Sequence, residues 1–159
     1  MRPMRRKERQ VTDPARIREI LADCKICHLG IQDGKKVYVV PLNFGLLEED
    51  GKYLFYFHCA NEGRKLDLIR ENPSVGFELD RGFELVTGQH AIHCTSKYQS
   101  VIGEGTIAEV EDDEEKVRGL NALMGQYTDK SDWTYPPAML AEVTVLRLTV
   151  EELSCKENM

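Results

Sequence analysis

Between Tyr53 and Lys65 an aromatic-rich run ends in a histidine and meets a polar turn followed by two adjacent cations, in the order Y-L-F-Y-F-H-C-A-N-E-G-R-K. Tyr53 to Cys59 are all aromatic, aliphatic, His or Cys, which is strand chemistry. Ala60-Asn61-Glu62-Gly63 interrupts that pattern, and Leu66, Ile69 and the pair Arg70 and Glu71 then follow at helical spacing as far as Asn72-Pro73. A strand, a glycine turn and a helix start gather free backbone N–H groups and the charges of Arg64 and Lys65 at one spot, which suits a phosphate dianion. The same residues also fit a solvated helix start with two surface cations and a histidine packed at a strand end.

Other constellations carry weaker chemistry. Cys24-Lys25-Ile26-Cys27-His28 has the C-x-x-C-H spacing of c-type haem attachment. That attachment follows export, however, and no export signal is visible, while His28 falls inside an apparent strand. As a redox dithiol the pair would open a helix after a strand, and here the order is reversed. Cys24 and Cys27 with two of His90, His93 and Cys94 have workable zinc spacing, but without a second C-x-x-C the pattern fits small buried thiols and loop histidines better, and no metal is expected. In Val39-Val40-Pro41-Leu42-Asn43-Phe44-Gly45 a proline, an asparagine and a glycine each weaken regular pairing of a buried strand. Either a flat ligand bonds the freed backbone and Asn43, or the segment is a bulge on an edge strand. Tyr98-Gln99-Ser100-Val101 offers hydroxyl and amide groups where another strand opens.

The elements that must position these groups follow from periodicity. Thr12 or Asp13 caps a helix with Pro14 in its first turn and a stripe of Ile17, Ile20 and Leu21 up to Asp23. Lys25 to Gln32, Asp33-Gly34 and Lys36 to Leu47 read as a hairpin, and Asp50-Gly51 turns into the Tyr53 strand, giving a three-stranded meander. Ser74 to Leu79 and Phe83 to Val86 are extended, and Tyr98 to Val110 is a long strand with a bend or bulge near Gly103 and Gly105. Acidic Glu111 to Glu115 opens a helix through Leu120, Leu123, Met124 and Tyr127. Ala141 to Val150 closes the chain after an irregular stretch from Thr128 to Leu140 that carries Trp133 and Tyr135. Short turns between most strands imply an antiparallel sheet, and a small closed barrel removes its open edges.

A chain of 159 residues, 42% hydrophobic and 30% charged, is expected to form one soluble domain, residues 1–159, with residues 1–10 a flexible basic arm and 152–159 a tail. The formal net charge of −6 argues against nucleic acid or an anionic membrane as the main partner. No apolar run of about 18 residues is present, and the segment after Arg5-Arg6 is not the apolar stretch of a twin-arginine signal, so a cytoplasmic location is expected. Five cysteines, an odd number, are expected to remain free thiols.

In order along the chain, C-H-L-G, Y-V-V-P-L-N-F-G, F-H-C-A-N-E-G-R-K-L-D, N-P-S-V-G-F-E and Y-Q-S-V-I-G-E-G resemble the nitroimidazole-resistance family of flavin-binding proteins, within the wider pyridoxamine 5′-phosphate oxidase-like superfamily. The likeness runs from about Arg5 to Glu151. It implies a mainly β (α+β) fold, an antiparallel split β-barrel with a few short helices, forming a homodimer with FMN, or alternatively FAD, at the subunit interface. By that likeness Pro41, Leu42, Asn43 and Phe44 line the isoalloxazine, Ala60 lies in the binding turn, and Arg64 and Lys65 meet the phosphate. Ser100 and Val101 contact ribityl or ring, His58 stands by the reactive centre as the catalytic residue, and Trp133 covers the flavin from the partner subunit. The activity implied is a flavin-dependent reduction of a nitroaromatic or similar small molecule, with NAD(P)H as a transient donor because no Rossmann-type glycine fingerprint is visible. A non-catalytic flavin carrier or sensor is the alternative. Pyridoxamine phosphate oxidation proper fits less well, since no second basic cluster is evident for a substrate phosphate.

Overall fold

In the computed structural model, which describes residues 2–159, the strands follow hydrophobic alternation. β1 (Gln10–Val11) is a two-residue strand that leads into α1 (Pro14–Asp23), whose N-terminus is capped by Asp13 accepting from the Ala15 N–H. β2 (Cys27–Asp33) buries Cys27, Leu29 and Ile31 and turns His28 and Gly30 outward, the period-two pattern of a sheet with one covered face. β3 (Lys36–Leu42) pairs back on β2, and β4 (Gly45–Glu49) with β5 (Lys52–Cys59) forms a second hairpin. α2 (Arg64–Glu71) precedes the long strands β6 (Ser74–Val86) and β7 (Thr95–Glu109). α3 (Asp113–Tyr127) and the short α4 (Pro137–Ala141) then lead to β8 (Thr144–Asn158).

All pairings are antiparallel and the hydrogen-bonded order is β3-β2-β6-β7-β8-β5-β4, with β1 on β8. This is the expected split β-barrel. Its core gathers Leu29, Ile31, Leu79, Val101, Leu146 and Leu148 around the ring contacts Phe44–Phe55 and Phe55–Phe77, at 5.5 and 5.0 Å between centroids. Each such side chain contributes roughly 1.5–3 kcal/mol on burial. β5 is covered on both sides, because Leu54 and Tyr56 face a second cluster with Val110 and Val145. α3 packs there so closely that a Cβ added at Gly45 would stand 2.3 Å from the Leu123 nitrogen, which only glycine avoids.

Four expectations are corrected. Lys36 to Leu47 is not one strand of a meander: the chain breaks at Asn43 and Phe44, β3 stays with β2, and β4 goes to the other end of the order beside β5. Among the described residues β3 and β4 do not pair, so the sheet keeps two edges instead of closing fully. The basic segment is less free than expected, since Lys7–Arg9 forms a 3-10 turn and Gln10 pairs with Lys156; Met1 of the expected arm lies outside the described residues. Finally, the expected closing strand and tail are one strand, because β8 continues to Asn158 and its far half pairs with β7. The bulge foreseen near Gly103 and Gly105 is there as a register shift between Glu104 and Gly105.

Candidate functional site

The turn after β5 is shaped by its backbone. Gly63 sits at φ 144 and ψ 172, a region that side chains strain to enter, and it starts α2 without a side-chain cap. The first hydrogen bond of the helix runs from the Asp67 N–H to the Gly63 carbonyl, so the N–H groups of Arg64, Lys65 and Leu66 have no acceptor within the helix. The positive end of the helix dipole adds to them. Asn61 pins the turn to the end of α4 and the start of β8, donating to the Ala141 carbonyl at 2.8 Å and accepting from the Thr144 hydroxyl at 2.8 Å.

The two cations differ. Arg64 lies over the Tyr38 ring, 4.2 Å from its centroid, and donates to Asp33 Oδ2 at 2.7 Å. Lys65 is half-buried and has no carboxylate partner among the described residues. Tyr38, Cys59, Ala60, Glu62, Gly63, Arg64, Lys65 and Leu66 line a cleft of about 250 Å³. Burial pushes the Cys59 thiol up, against the pull of the nearby Lys65 ammonium. An uncapped helix start, a glycine without a Cβ and a lysine lacking a counter-ion form a donor set for an anion of phosphate size.

The remaining expected site residues, Pro41, Leu42, Asn43, Phe44, His58, Ser100, Val101 and Trp133, do not line this cleft. His58 is exposed beside Val145, on the Leu54 and Tyr56 side of β5, whereas Cys59 faces the cleft. Pro41 and Asn43 are exposed and Leu42 is half-buried at the end of β3. Phe44 and Val101 are fully buried in the core, so only their backbones can meet a ligand. Ser100 lies on the outer face, opposite Asp80 and Lys156. Trp133 is fastened to α3: its N–H donates to Asn121 Oδ1 at 2.9 Å, its carbonyl accepts from Asn121 Nδ2 at 3.1 Å, and Lys130 stands over its ring at 4.1 Å. It does not line the cleft of its own chain.

Sequence reasoning missed the side chains that hold these pieces. The Tyr127 hydroxyl accepts from the Phe44 N–H at 3.0 Å and donates to the Lys25 carbonyl at 2.6 Å, which satisfies the backbone where β3 and β4 part. Tyr38 and the Asn61–Thr144 clamp also went unseen, as no local pattern marks a partner 26 or 83 positions away. The candidate zinc set is not assembled: Cys24 and Cys27 are core thiols, pushed up by burial to about 11 and about 12, while His90, His93 and Cys94 are on an exposed loop. A different cluster forms on the outer face, where His28 Nδ1 lies 3.0 Å from Glu78 Oε2 beside Asp80. Burial first, and then the Asp80 hydrogen bond, pushes the Glu78 carboxyl up against the opposing pull of His28.

No helix of the described residues is long and apolar enough to cross a membrane. A sequence model for pyridoxamine 5′-phosphate oxidase matches residues 13–157. Among solved structures, the chain is similar to a candidate 5-nitroimidazole antibiotic resistance protein from Bacteroides thetaiotaomicron, at 29% identity and a TM-score of 0.80 over 93% of this chain and 86% of that one. An FAD and haem binding protein from Mycobacterium smegmatis superposes with a TM-score of 0.80 at 18% identity, over 94% of this chain and 73% of that one. An FAD-binding protein from Mesorhizobium loti gives 0.65 at 22%, over 95% and 98%. No curated protein matches the sequence.

Proposed function

We propose, from the premise that this chain belongs to the pyridoxamine 5′-phosphate oxidase family of flavin-binding folds, that it is a flavin-dependent oxidoreductase reducing a nitroaromatic or similar small molecule. The observation that carries this reading is the turn at Gly63: three unpaired N–H groups and Lys65, without a carboxylate partner among the described residues, converge on one small cleft. The likeness to a candidate 5-nitroimidazole resistance protein supports the substrate class.

A bound FMN or FAD supplies the electron pair that no side chain carries. The chain's own residues bind and orient. Lys65 and the α2 N–H groups hold the phosphate, with Arg64 beside them after it loosens from Asp33. Pro41 and Leu42 at the end of the edge strand β3, with Asn43 just beyond it, offer a surface for the ring, and Ser100 offers a hydroxyl on the same outer face. The imidazole N–H of His58 donates a proton to, or hydrogen-bonds, the oxygen of the group being reduced.

At about 250 Å³ the cleft falls below the 300–1,000 Å³ or so of sites that enclose a small ligand. It takes the phosphate end and leaves the ring on the surface. We therefore propose that a second copy of the chain covers the ring in a homodimer, for which the exposed Val37, Val39 and Ile102 on the outer face provide apolar contact. The partner's Trp133 would reach the ring in that arrangement.

The reading is tested by reconstituting the protein with FMN and with FAD, and following reduction of a 5-nitroimidazole with NADPH as donor. In the His58→Ala variant, flavin binding is expected to persist while turnover falls by about a hundredfold, the range of a lost proton donor. Unchanged turnover would point to a carrier or to free-flavin chemistry. Failure of the unsubstituted protein to take up either flavin would end the proposal.

A further inference from the structure

We infer that His28, Glu78 and Asp80 form a binding site for a divalent first-row transition metal ion on the outer face of the barrel. One ligand atom from each lies within 4.8 Å of the other two. The set follows from register: His28 on β2 pairs directly with Glu78 on β6, and Asp80, two residues further on, returns to the same face. Glu78 and Asp80 also sit on a strand paired on both sides, by β2 and by β7, so ordering the ligands requires rotamer changes and no backbone movement.

The chemistry of the set selects the ion. One imidazole with two carboxylates suits zinc, cobalt, manganese or ferrous iron better than magnesium or calcium, which favour oxygen ligands throughout. Around an ion with bonds of 2.0–2.2 Å, neighbouring ligands stand roughly 3.0–3.5 Å apart. His28 Nδ1 and Glu78 Oε2 already stand at 3.0 Å, and Asp80 offers an oxygen within 4.8 Å of both.

Charge points the same way. Two carboxylates share the spot, and the cations near them are engaged elsewhere. Arg81 turns to the other side of β6, where it binds Asp23 at 2.8 Å and Gln99. Lys156, the strand neighbour of Ser100, directs its ammonium over Tyr98. Among the described residues neither Glu78 nor Asp80 is ion-paired with a lysine or an arginine. In the single chain, side-chain exposures of 42% for His28 and 35% for Glu78 leave the spot open to an ion arriving with water, which fills the positions that three protein ligands leave vacant.

The site lies on the face that the flavin reading uses, since His28 pairs with Pro41 and Asp80 with Ser100, so its test is run on flavin-free protein, where failure to bind metal and failure to bind flavin are read separately. The full chain, stripped with a chelator and dialysed, is titrated with Co²⁺ and with Zn²⁺ by calorimetry and absorption. One ion per chain is expected, with cobalt d–d bands and no thiolate-to-cobalt charge transfer, since the ligand set holds no sulfur. Asp80→Asn and His28→Gln are each expected to weaken binding about tenfold or more, with melting temperatures of the metal-free variants near that of the parent because both side chains are partly exposed. Glu78→Gln serves as the third variant should either of these unfold. The proposal is overturned by absence of saturable binding, by affinities unchanged in folded variants, or by a charge-transfer band that assigns the metal to the cysteines.

Discussion

The turn at residues 60–66 and the outer face of β2 and β6 are both polar sites on one barrel, built in opposite ways. The turn is assembled from neighbours in sequence, works largely through backbone N–H groups, and is positive. The outer face joins His28 to Glu78 across 50 positions, works through side chains, and is negative. The turn therefore depends on a backbone conformation and a charge, while the outer face depends on strand register that the surrounding ladders hold. Substitutions should separate the two.

Reversing charge in the turn has the largest expected effect. Lys65→Glu removes a charge-assisted contact of roughly 1.5–3 kcal/mol and adds repulsion, so flavin affinity should fall about a hundredfold or more. Fluorescence quenching of FMN on titration reads this directly. Since Lys65 has no carboxylate partner among the described residues, the melting temperature should hardly move. Unchanged FMN affinity would break the assignment of the turn, and the comparison with it.

Next in size is the backbone. Gly63→Ala forces a Cβ into φ 144 and should destabilise the chain by about 1–3 kcal/mol in urea titrations. Gly30→Ala on the outer face is the control. Its Cβ would meet the Gly76 carbonyl oxygen at 3.5 Å, an ordinary contact, and its backbone is ordinary strand, so stability should change by less than about 1 kcal/mol. Equal losses in both variants would show that the turn is no more conformationally demanding than the sheet.

What was legible in the sequence divides along the same line. The strand, glycine turn and helix from Tyr53 to Glu71 were readable because their signals are local: alternation, a breaker and helical spacing. The outer cluster was not, although C-x-x-C-H drew attention to His28, because which residue of β6 faces β2 is decided by pairing of distant strands. Phe44 was legible as special but for the wrong reason. The interruption at residues 41–45 reflects the parting of β3 and β4, with Phe44 turned into the core and its N–H bonded to Tyr127, a partner on a helix 83 positions away. Tyr127→Phe should therefore cost about 1 kcal/mol by leaving the Phe44 N–H and Lys25 carbonyl short of a partner. Urea titration checks the loss, and a loss within error would mean that solvent replaces the hydroxyl.

The smallest effect distinguishes the two cations within the turn itself. Arg64 is already matched by Asp33 and rests on Tyr38, so a phosphate arriving at the cleft competes with a carboxylate for it. Exposed ion pairs contribute only about 0.2–1 kcal/mol, and Arg64→Gln should lower stability by no more than that. Its effect on FMN affinity should be several times weaker than that of Lys65→Glu, because part of what Arg64 gives the phosphate it must first withdraw from Asp33. The converse follows: Asp33→Asn frees the guanidinium and should tighten FMN binding about two- to threefold, in a salt-dependent way. With Asp33→Asn and Arg64→Gln combined, the gain should vanish, which a double-mutant cycle by fluorescence titration measures. If the gain persists without the guanidinium, Asp33 acts on the phosphate through the field at the turn, and Arg64 is a prop for Tyr38 and not a ligand.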